Sequence, residues 1–551
     1  MPKAPAKEFK PQNSKFKTYL PLHLVIVFIG GVLMGLTPAP AELWPLAWVA
    51  LIPLWVLVVN RQDTLRGVLL LGLMWGIGYH GLALSWISGV HPMTWMGVPW
   101  LASLAIALFC WVFITLWGAV LVAIWAGGMA IATRVLSRSK LTSPLQVACA
   151  RVLLGVALWS GLEAIWSFLP LYWSSLSYTQ SPHNLVILHL GQISGPLTIT
   201  AAIVAVNGFL AEAWSSRMAQ AHAASHRQTS ALRTAWGCVG VAASLLVGLH
   251  LIGLSLYSRP LPQASEAALK VGIIQGNVPN EIKLYPGGLT RALEGYTTGY
   301  RTLADQGVDA VLTPETALPF VWTQLNQVHS SFHQAILDRG VVAWLGTFGK
   351  QGQSLTNSLF AIAGNGEVAS QYNKVKLVPL GEYIPFEQFL GRFIDRLSPL
   401  DAHLIAGQSG QHFDTPFGRA IAAICYESAF SEHFRAQATA GGQFILSASN
   451  DAHYSPAMPN QHHAQDVMRA IETDRWAVRA TNTGYSGIVD AHGKTEWRSR
   501  LNTYELHAAT IYRRSTQTPY VRWGDWLTPF LILAAAVTGG WTLRGERFDQ
   551  S

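Results

Sequence analysis

The sequence predicts two kinds of structure in one chain: an all-α membrane domain of about eight spans, and an α/β domain inserted before the last of them. Three observations carry this. Half of the 551 residues are hydrophobic and only 12% are charged, well below the charged fraction of an ordinary soluble domain. The apolar residues gather into runs near the length a helix needs to cross a bilayer, except across a more polar stretch at 258–518. Lysine and arginine mark alternate loops between those runs.

The runs fall at 19–36, 42–60, 66–88, 98–133, 151–170, 183–213, 235–256 and 525–543. Those at 98–133 and 183–213 exceed one crossing. Tilt, extension past the membrane or, for the first, a break into two short segments would accommodate them. The N-terminal tail carries Lys3, Lys7, Lys10, Lys15 and Lys17. Arg61 and Arg66 follow the second run, Arg134, Arg138 and Lys140 the fourth, Arg217, Arg227 and Arg233 the sixth, and Arg544 and Arg547 the last. The loops at 37–42, 89–98 and 169–183 have neither residue. Basic loops stay in the cytoplasm, so both termini are expected there and the 258–518 region outside; the same alternation argues against splitting the fourth run. The expected domains are 1–257 with seven transmembrane helices, 258–518, and 519–551 with one helix and a tail.

The net charge of +8 flanks apolar runs and forms no single patch, so nucleic acid is not an expected partner. Residues 1–17 are polar and basic, and no small-residue cleavage site follows, so the first run is expected to stay as a helix. Trp86, Trp95 and Trp173 read mostly as interfacial anchors.

Within 258–518, short apolar runs at 269–275, 310–312, 341–348, 358–363, 420–425, 444–448 and 485–489 predict buried strands. Gly364-Asn365-Gly366 predicts a hairpin between 359–363 and 368–372, and Asp490-Ala491-His492-Gly493 another. Helical spacing at 290–305 and 464–474 between the strands predicts a layered α/β domain.

Cys425 is the one cysteine of this region; Cys110, Cys149 and Cys238 lie in or beside apolar runs. A lone thiol has no local disulfide partner and is a candidate nucleophile, which needs a base or a positive charge to ionise it. Glu315, in Pro314-Glu315-Thr316, offers the base. Lys374, in Tyr372-Asn373-Lys374, offers a charge for the thiolate and for a tetrahedral oxyanion. Their separations, 59 positions from Glu315 to Lys374 and 51 from Lys374 to Cys425, fit the carboxyl ends of different strands of one sheet. His453, His462 and His463 are expected to face solvent, because adjacent helical histidines point about 100° apart and rarely share a metal. No metal and no cofactor is expected.

Pro314-Glu315, Tyr372-Asn373-Lys374-Val375-Lys376-Leu377 and Ile424-Cys425-Tyr426-Glu427 resemble the glutamate, lysine and cysteine motifs of the nitrilase (carbon–nitrogen hydrolase) superfamily. Four further segments resemble its apolipoprotein N-acyltransferase branch: Ile274-Gln275-Gly276-Asn277, Gly381-Glu382-Tyr383-Ile384-Pro385, Ser449-Asn450-Asp451 and Arg479-Ala480-Thr481-Asn482-Thr483-Gly484. The layout of seven spans before the domain and one after resembles that branch too. The resemblance implies a nitrilase-like αββα sandwich facing the periplasm, in an inner-membrane acyltransferase of lipoprotein maturation. It implies transfer of an acyl chain from a phospholipid, typically phosphatidylethanolamine, to Cys425, and on to the α-amino group of an apolipoprotein's diacylglyceryl-cysteine, with ping-pong kinetics. Carried over, Cys425 is nucleophile, Glu315 general base and Lys374 stabiliser of negative charge. Glu382, Tyr426, Glu427 and Asn450 support the site, with the Tyr426 N–H as second oxyanion donor. Leu284, His453 and the segment Leu169-Pro170-Leu171-Tyr172-Trp173 depart from the family pattern where substrate is expected to dock. The residues leave open a membrane-tethered amidase or nitrilase, a divergent paralogue and a non-enzymatic assembly factor. The segment 388–410, with Phe389, Leu390, Phe393 and Ile394, is the expected lid.

Overall fold

Glycine and tryptophan shape the helical half. The computed structural model describes residues 13–60, 64–138, 141, 143–220, 225–379, 381–383, 404–452 and 454–547. Lys3, Lys7, Lys10, Arg61, Lys140, Ile384, Pro385, His453 and the 388–403 part of the expected lid lie outside these residues. The N-terminal helices are α1 (Asn13–Gly35), α2 (Ile52–Asn60), α3 (Leu65–Ala83), α4 (Trp100–Leu136), α5 (Pro144–Phe168), α6 (Leu197–Gln220) and α7 (Ser225–Tyr257). By length and composition α4, α5, α6 and the Thr229–Tyr257 part of α7 can cross a membrane; Leu20–Gly35, Trp44–Asn60, Leu185–Ser194 and Leu527–Gly540 are shorter apolar helices. The expected run at 98–133 is one helix of 37 residues, about 55 Å long at 1.5 Å per residue. The run at 183–213 is broken into Leu185–Leu188, Gly191–Ser194 and α6. Gly195 takes φ 78° there, and Pro196 beside it cannot continue a helix.

A Cβ on Gly31 would collide with the Trp75 carbonyl, and one on Gly78 with the Phe28 carbonyl, so α1 and α3 meet backbone to backbone. Trp55, Trp75, Trp125 and Trp159 fill the bundle interior. Their indole N–H groups donate to Glu212, Ala50, Gly155 and Glu163 respectively, which removes the cost of burying them unpaired.

The C-terminal half holds thirteen strands among the described residues: β1 (Ala268–Gln275), β2 (Ala310–Leu312), β3 (Leu318–Val321), β4 (Val342–Gln351), β5 (Ser354–Ile362), β6 (Val368–Asn373), β7 (Phe413–Thr415), β8 (Gly418–Ile424), β9 (Ile445–Ser449), β10 (Ala477–Thr481), β11 (Gly487–Val489), β12 (Thr495–Arg498) and β13 (Glu505–Tyr512). They form a seven-stranded sheet, β13-β1-β2-β4-β5-β6 with β3 beside β4, and a six-stranded sheet, β12-β11-β10-β9-β8-β7. Both expected hairpins form, with Gly366 and Gly493 at positive φ in their turns. β13 returns to the first sheet and pairs antiparallel with β1 from Ala268↔Tyr512 to Gln275↔Glu505.

Apolar residues of both sheets, among them Val271, Leu312, Trp344, Ile424, Leu446 and Val478, make the core between them. Helices α8 (Pro286–Asp305) and α9 (Ser331–Arg339) cover the outer face of the first sheet. Helices α10 (Ser431–Thr439) and α11 (Ala457–Thr473) cover the second. The result is an αββα sandwich. Its second helical layer shares one core with the bundle: Phe434, Val467, Met468 and Ile471 cluster with residues of α2 to α7. Helix α12 (Leu527–Arg547) then rejoins the bundle against α5. Trp86 and Trp173, expected as interfacial anchors, are instead buried where bundle and sandwich meet, because the bundle rises over that face and takes the place of headgroups.

Candidate active site

Each parallel strand ends in a loop at one edge of the sandwich, and the polar residues collect there. After β2 the chain turns through Thr313-Pro314-Glu315, and a Cβ on Gly346 of β4 would collide with the Pro314 carbonyl. Glu315 is thus pressed inward, and its Oε1 accepts from Asn357 Nδ2 of β5 at 2.7 Å and Lys374 Nζ at 2.9 Å. Lys374 follows β6 and is 1% exposed. Its Nζ also pairs with Glu382 Oε2 at 2.9 Å, and Asn357 Nδ2 donates to Glu382 Oε1 as well. The lysine therefore sits between two carboxylates that share an amide.

Cys425 comes from the other sheet. It ends β8 at φ 53°, a left-handed conformation costly for a side chain with a Cβ, and opens the 3₁₀ turn Cys425–Ala429. The cysteine is buried, and the Asn450 backbone N–H, just past β9, donates to its sulfur. His462 Nε2 donates to the Cys425 carbonyl at 2.9 Å, and its Nδ1 faces Asp451 Oδ1 at 3.1 Å. Glu427 is fully buried and ties the two sheets: it accepts from the Ile424 N–H at 2.7 Å, the Val375 N–H at 2.6 Å and the Tyr372 hydroxyl at 2.9 Å. Tyr426 turns toward the bundle and stacks on Trp173, with ring centres 6.3 Å apart. The Asn450 side chain points away from the thiol, accepting from Asn482 and donating to Asn280.

The profile of the apolipoprotein N-acyltransferase N-terminal domain matches residues 30–209, and that of carbon-nitrogen hydrolase matches residues 270–518. The apolipoprotein N-acyltransferase of Nostoc sp. is 58% identical, covering 93% of this chain and 97% of its own length. Those of Synechocystis sp. and Thermosynechococcus vestitus are 47% and 42% identical, each over 92% of this chain. The chain belongs to the apolipoprotein N-acyltransferase family. Among solved structures, an amidase of the nitrilase superfamily from Nesterenkonia sp. aligns at 18% identity and TM-score 0.35, over 47% of this chain and 94% of that one.

In this family member the electrostatics follow from burial. Burial disfavours the Lys374 ammonium, but Glu315 and Glu382 outweigh it and hold the group well above the usual lysine value. Burial, then Glu315, push the Cys425 thiol well above its usual value; Lys374 and the Asn450 N–H pull it down less. The thiol is therefore protonated at neutral pH. Lys283 is a second buried lysine, donating from Nζ to the Glu315 carbonyl at 3.0 Å. Burial lowers it to about 8 against the pull of Glu315 and Cys425.

Two sequence expectations change. Glu315 and Lys374 end strands of the seven-stranded sheet, but Cys425 ends a strand of the six-stranded one, so the group spans two sheets and not one. His462 and His463 are buried and not solvent-facing, since α11 lies between sandwich and bundle. His463 bonds Thr495 Oγ1 at 2.8 Å. Sequence reasoning gave no site role to His462, Asp451, Asn357 or Lys283; the Asn450-Asp451 pair after a predicted strand was the one available signal. Cys425, Asp451 and His462 each offer a ligand atom within 4.8 Å of the others. Both His462 nitrogens already have hydrogen-bond partners, which accounts for the grouping without an ion.

Proposed function

We propose that this chain moves a fatty acyl chain from a phospholipid to Cys425, and from the thioester to the α-amino group of an apolipoprotein's N-terminal diacylglyceryl-cysteine. One observation carries the mechanism: the Cys425 thiol is buried at the edge where Glu315 lies, and a lysine holds that carboxylate by an ion pair of 2.9 Å. Such a thiol loses its proton as it attacks, and does not wait as a thiolate. Glu315 takes the Sγ proton while Sγ bonds the ester carbonyl carbon. Lys374 Nζ and the Tyr426 N–H meet the oxyanion. Collapse breaks the ester C–O bond, and the glycerol oxygen leaves with the proton from Glu315 as a lysophospholipid. The acceptor's neutral amine then attacks the thioester carbonyl, Glu315 takes a proton from nitrogen, and the departing thiolate recovers it. Glu382 keeps Lys374 charged, and Glu427 sets the spacing between the lysine and cysteine loops.

The acyl donor in this reading is phosphatidylethanolamine. Residues 1–257 form seven spans, 258–518 the periplasmic catalytic domain and 519–551 the eighth span with its tail; both termini are cytoplasmic. Arg134 near the C-terminal end of α4, against the loops without lysine or arginine at the opposite ends of the helices, supports this orientation. Both substrates are lipids, so a site against the bundle lets acyl chains arrive without crossing water. The test is intact mass of the purified chain in phosphatidylethanolamine vesicles, beside Cys425→Ala. The expected result is a gain of one acyl group on the wild type alone, removed by a diacylglyceryl lipopeptide. Removal by water at the same rate would make the chain a hydrolase, and no gain would sink the reading.

A further inference from the structure

Helix α11 carries two neighbouring polar residues that face opposite ways. Gln461 points into the bundle. Its Oε1 accepts from the indole N–H of Trp86 at 3.1 Å and of Trp173 at 2.9 Å. Its Nε2 donates to the carbonyls of Ala39 at 2.9 Å and Ala83 at 2.8 Å. An amide has two acceptor sites and two donors, and all four are used on three stretches of the bundle: Ala39, the end of α3 from Ala83 to Trp86, and Trp173. His462, the next residue, points the other way, to the Cys425 carbonyl and Asp451. Two adjacent helix positions thus join the membrane loops to the backbone of the candidate nucleophile.

The aromatic contacts follow the same line. Trp86 packs on Trp173 at 5.1 Å and on Tyr454 at 5.0 Å, and Trp173 stacks on Tyr426 and lies 5.6 Å from the His462 ring. Trp173 also walls a small cavity of about 30 Å³ inside the bundle, shared with Tyr79, Trp117, Trp159 and Trp166. One indole therefore borders both the space within the helices and the residue after Cys425. Gln461 fixes that indole, and His462 fixes the carbonyl of the strained Cys425 turn.

We propose that Gln461 and His462 are positioning residues that register the membrane half against Cys425, so that an ester held in the bundle meets the sulfur in line. Gln461 serves donors that come from the bilayer; His462 serves every reaction of the thiol. The proposal rests on the reading of Cys425 as the acylated residue. A small displacement of a held reactant is enough to cost orders of magnitude in rate, so the two residues are separable by the reagent used.

The experiment compares full-length wild type, Gln461→Leu, Gln461→Glu, His462→Phe and His462→Gln in phospholipid nanodiscs. Three quantities are read: the single-turnover rate of Cys425 acylation from the bilayer, the rate of Cys425 alkylation by water-soluble iodoacetamide, and the thermal midpoint. Gln461→Leu is expected to slow acylation by about 30-fold or more while alkylation stays near the wild-type rate. Gln461→Glu, which still accepts from both indoles but loses both donors, falls between. His462→Phe slows both reactions, and His462→Gln, which can donate to the Cys425 carbonyl again, recovers part of each. Wild-type acylation in Gln461→Leu would overturn the proposal. So would an equal fall of acylation, alkylation and thermal midpoint in that variant, which is the mark of a purely structural residue. A wild type that is alkylated but never acylated would sink the acyl-transfer reading itself, a result distinct from either.

Discussion

The two sheets of the sandwich contribute different chemistry to the same edge. The seven-stranded sheet supplies charge: Glu315 after β2, Lys374 after β6 and Asn357 within β5, with Glu382 just beyond. The six-stranded sheet supplies the sulfur and the groups that hold its turn: Cys425 after β8, the Asn450 N–H and the Asp451 carboxylate after β9, and His462 on its covering helix. Glu427 reaches both, through Ile424 on one side and Val375 and Tyr372 on the other. The difference teaches that the Lys374 ion pairs and the nucleophile's position are set by separate scaffolds. A packing change in one sheet can move the sulfur without altering the ion pair, and the reverse.

Substitutions can break or sharpen this division. Cys425→Ala should abolish acyl-enzyme formation altogether, read by intact mass. Glu315→Gln should cost about 10²–10⁴ in the acylation rate while Cys425 still reacts with iodoacetamide; a wild-type acylation rate there would end the assignment of charge to the first sheet. Lys374→Met leaves two buried carboxylates facing each other. Breaking a buried pair from one side costs about 3–5 kcal/mol, so the thermal midpoint should fall together with activity. Glu427→Gln presents one acceptor oxygen in place of two and loses one side of the tie. The expected cost is about 1.5–3 kcal/mol per lost bond, with acylation slowed more than alkylation. Tyr372→Phe removes one hydroxyl from that tie and should cost about 1 kcal/mol in thermal unfolding.

A pH series tests the same picture. The folded state holds the Cys425 proton more tightly than the unfolded chain does. The stability this contributes is full below the unfolded thiol value, near 8.5, and is lost as pH rises through the higher folded value. Iodoacetamide labelling should therefore keep climbing above about pH 10, where a free cysteine has levelled off. In Glu315→Gln the curve should shift to lower pH, since one repulsive charge is gone.

The chemistry was legible where it is written locally. Glu315, Lys374 and Cys425 each sit in a short motif at a strand end, and both hairpin turns carry their own glycine. The helices were legible because apolar runs of that length have few other uses. What escaped depends on contacts distant in sequence. Gln461 meets Trp86 across 375 positions and His462 meets Cys425 across 37, and nothing near either residue marks that partner. Their burial was missed for one physical reason. An outer helix of a sandwich ordinarily faces water, but α11 faces the bundle. The assignment of the group to one sheet failed because parallel strands of two sheets leave the same signature, and β13 reveals the split only by returning to β1.

The shared core bears on how the chain is made. Phe434, Val467, Met468 and Ile471 pack with residues of the N-terminal helices, and those helices emerge from the ribosome first. The second helical layer of the sandwich therefore meets a partner already seated in the membrane, and the bundle acts as its folding template. A fragment expressed from 258–518 alone would carry that layer with one apolar face bare, prone to self-association, so the domain's independence in sequence is not independence in biogenesis.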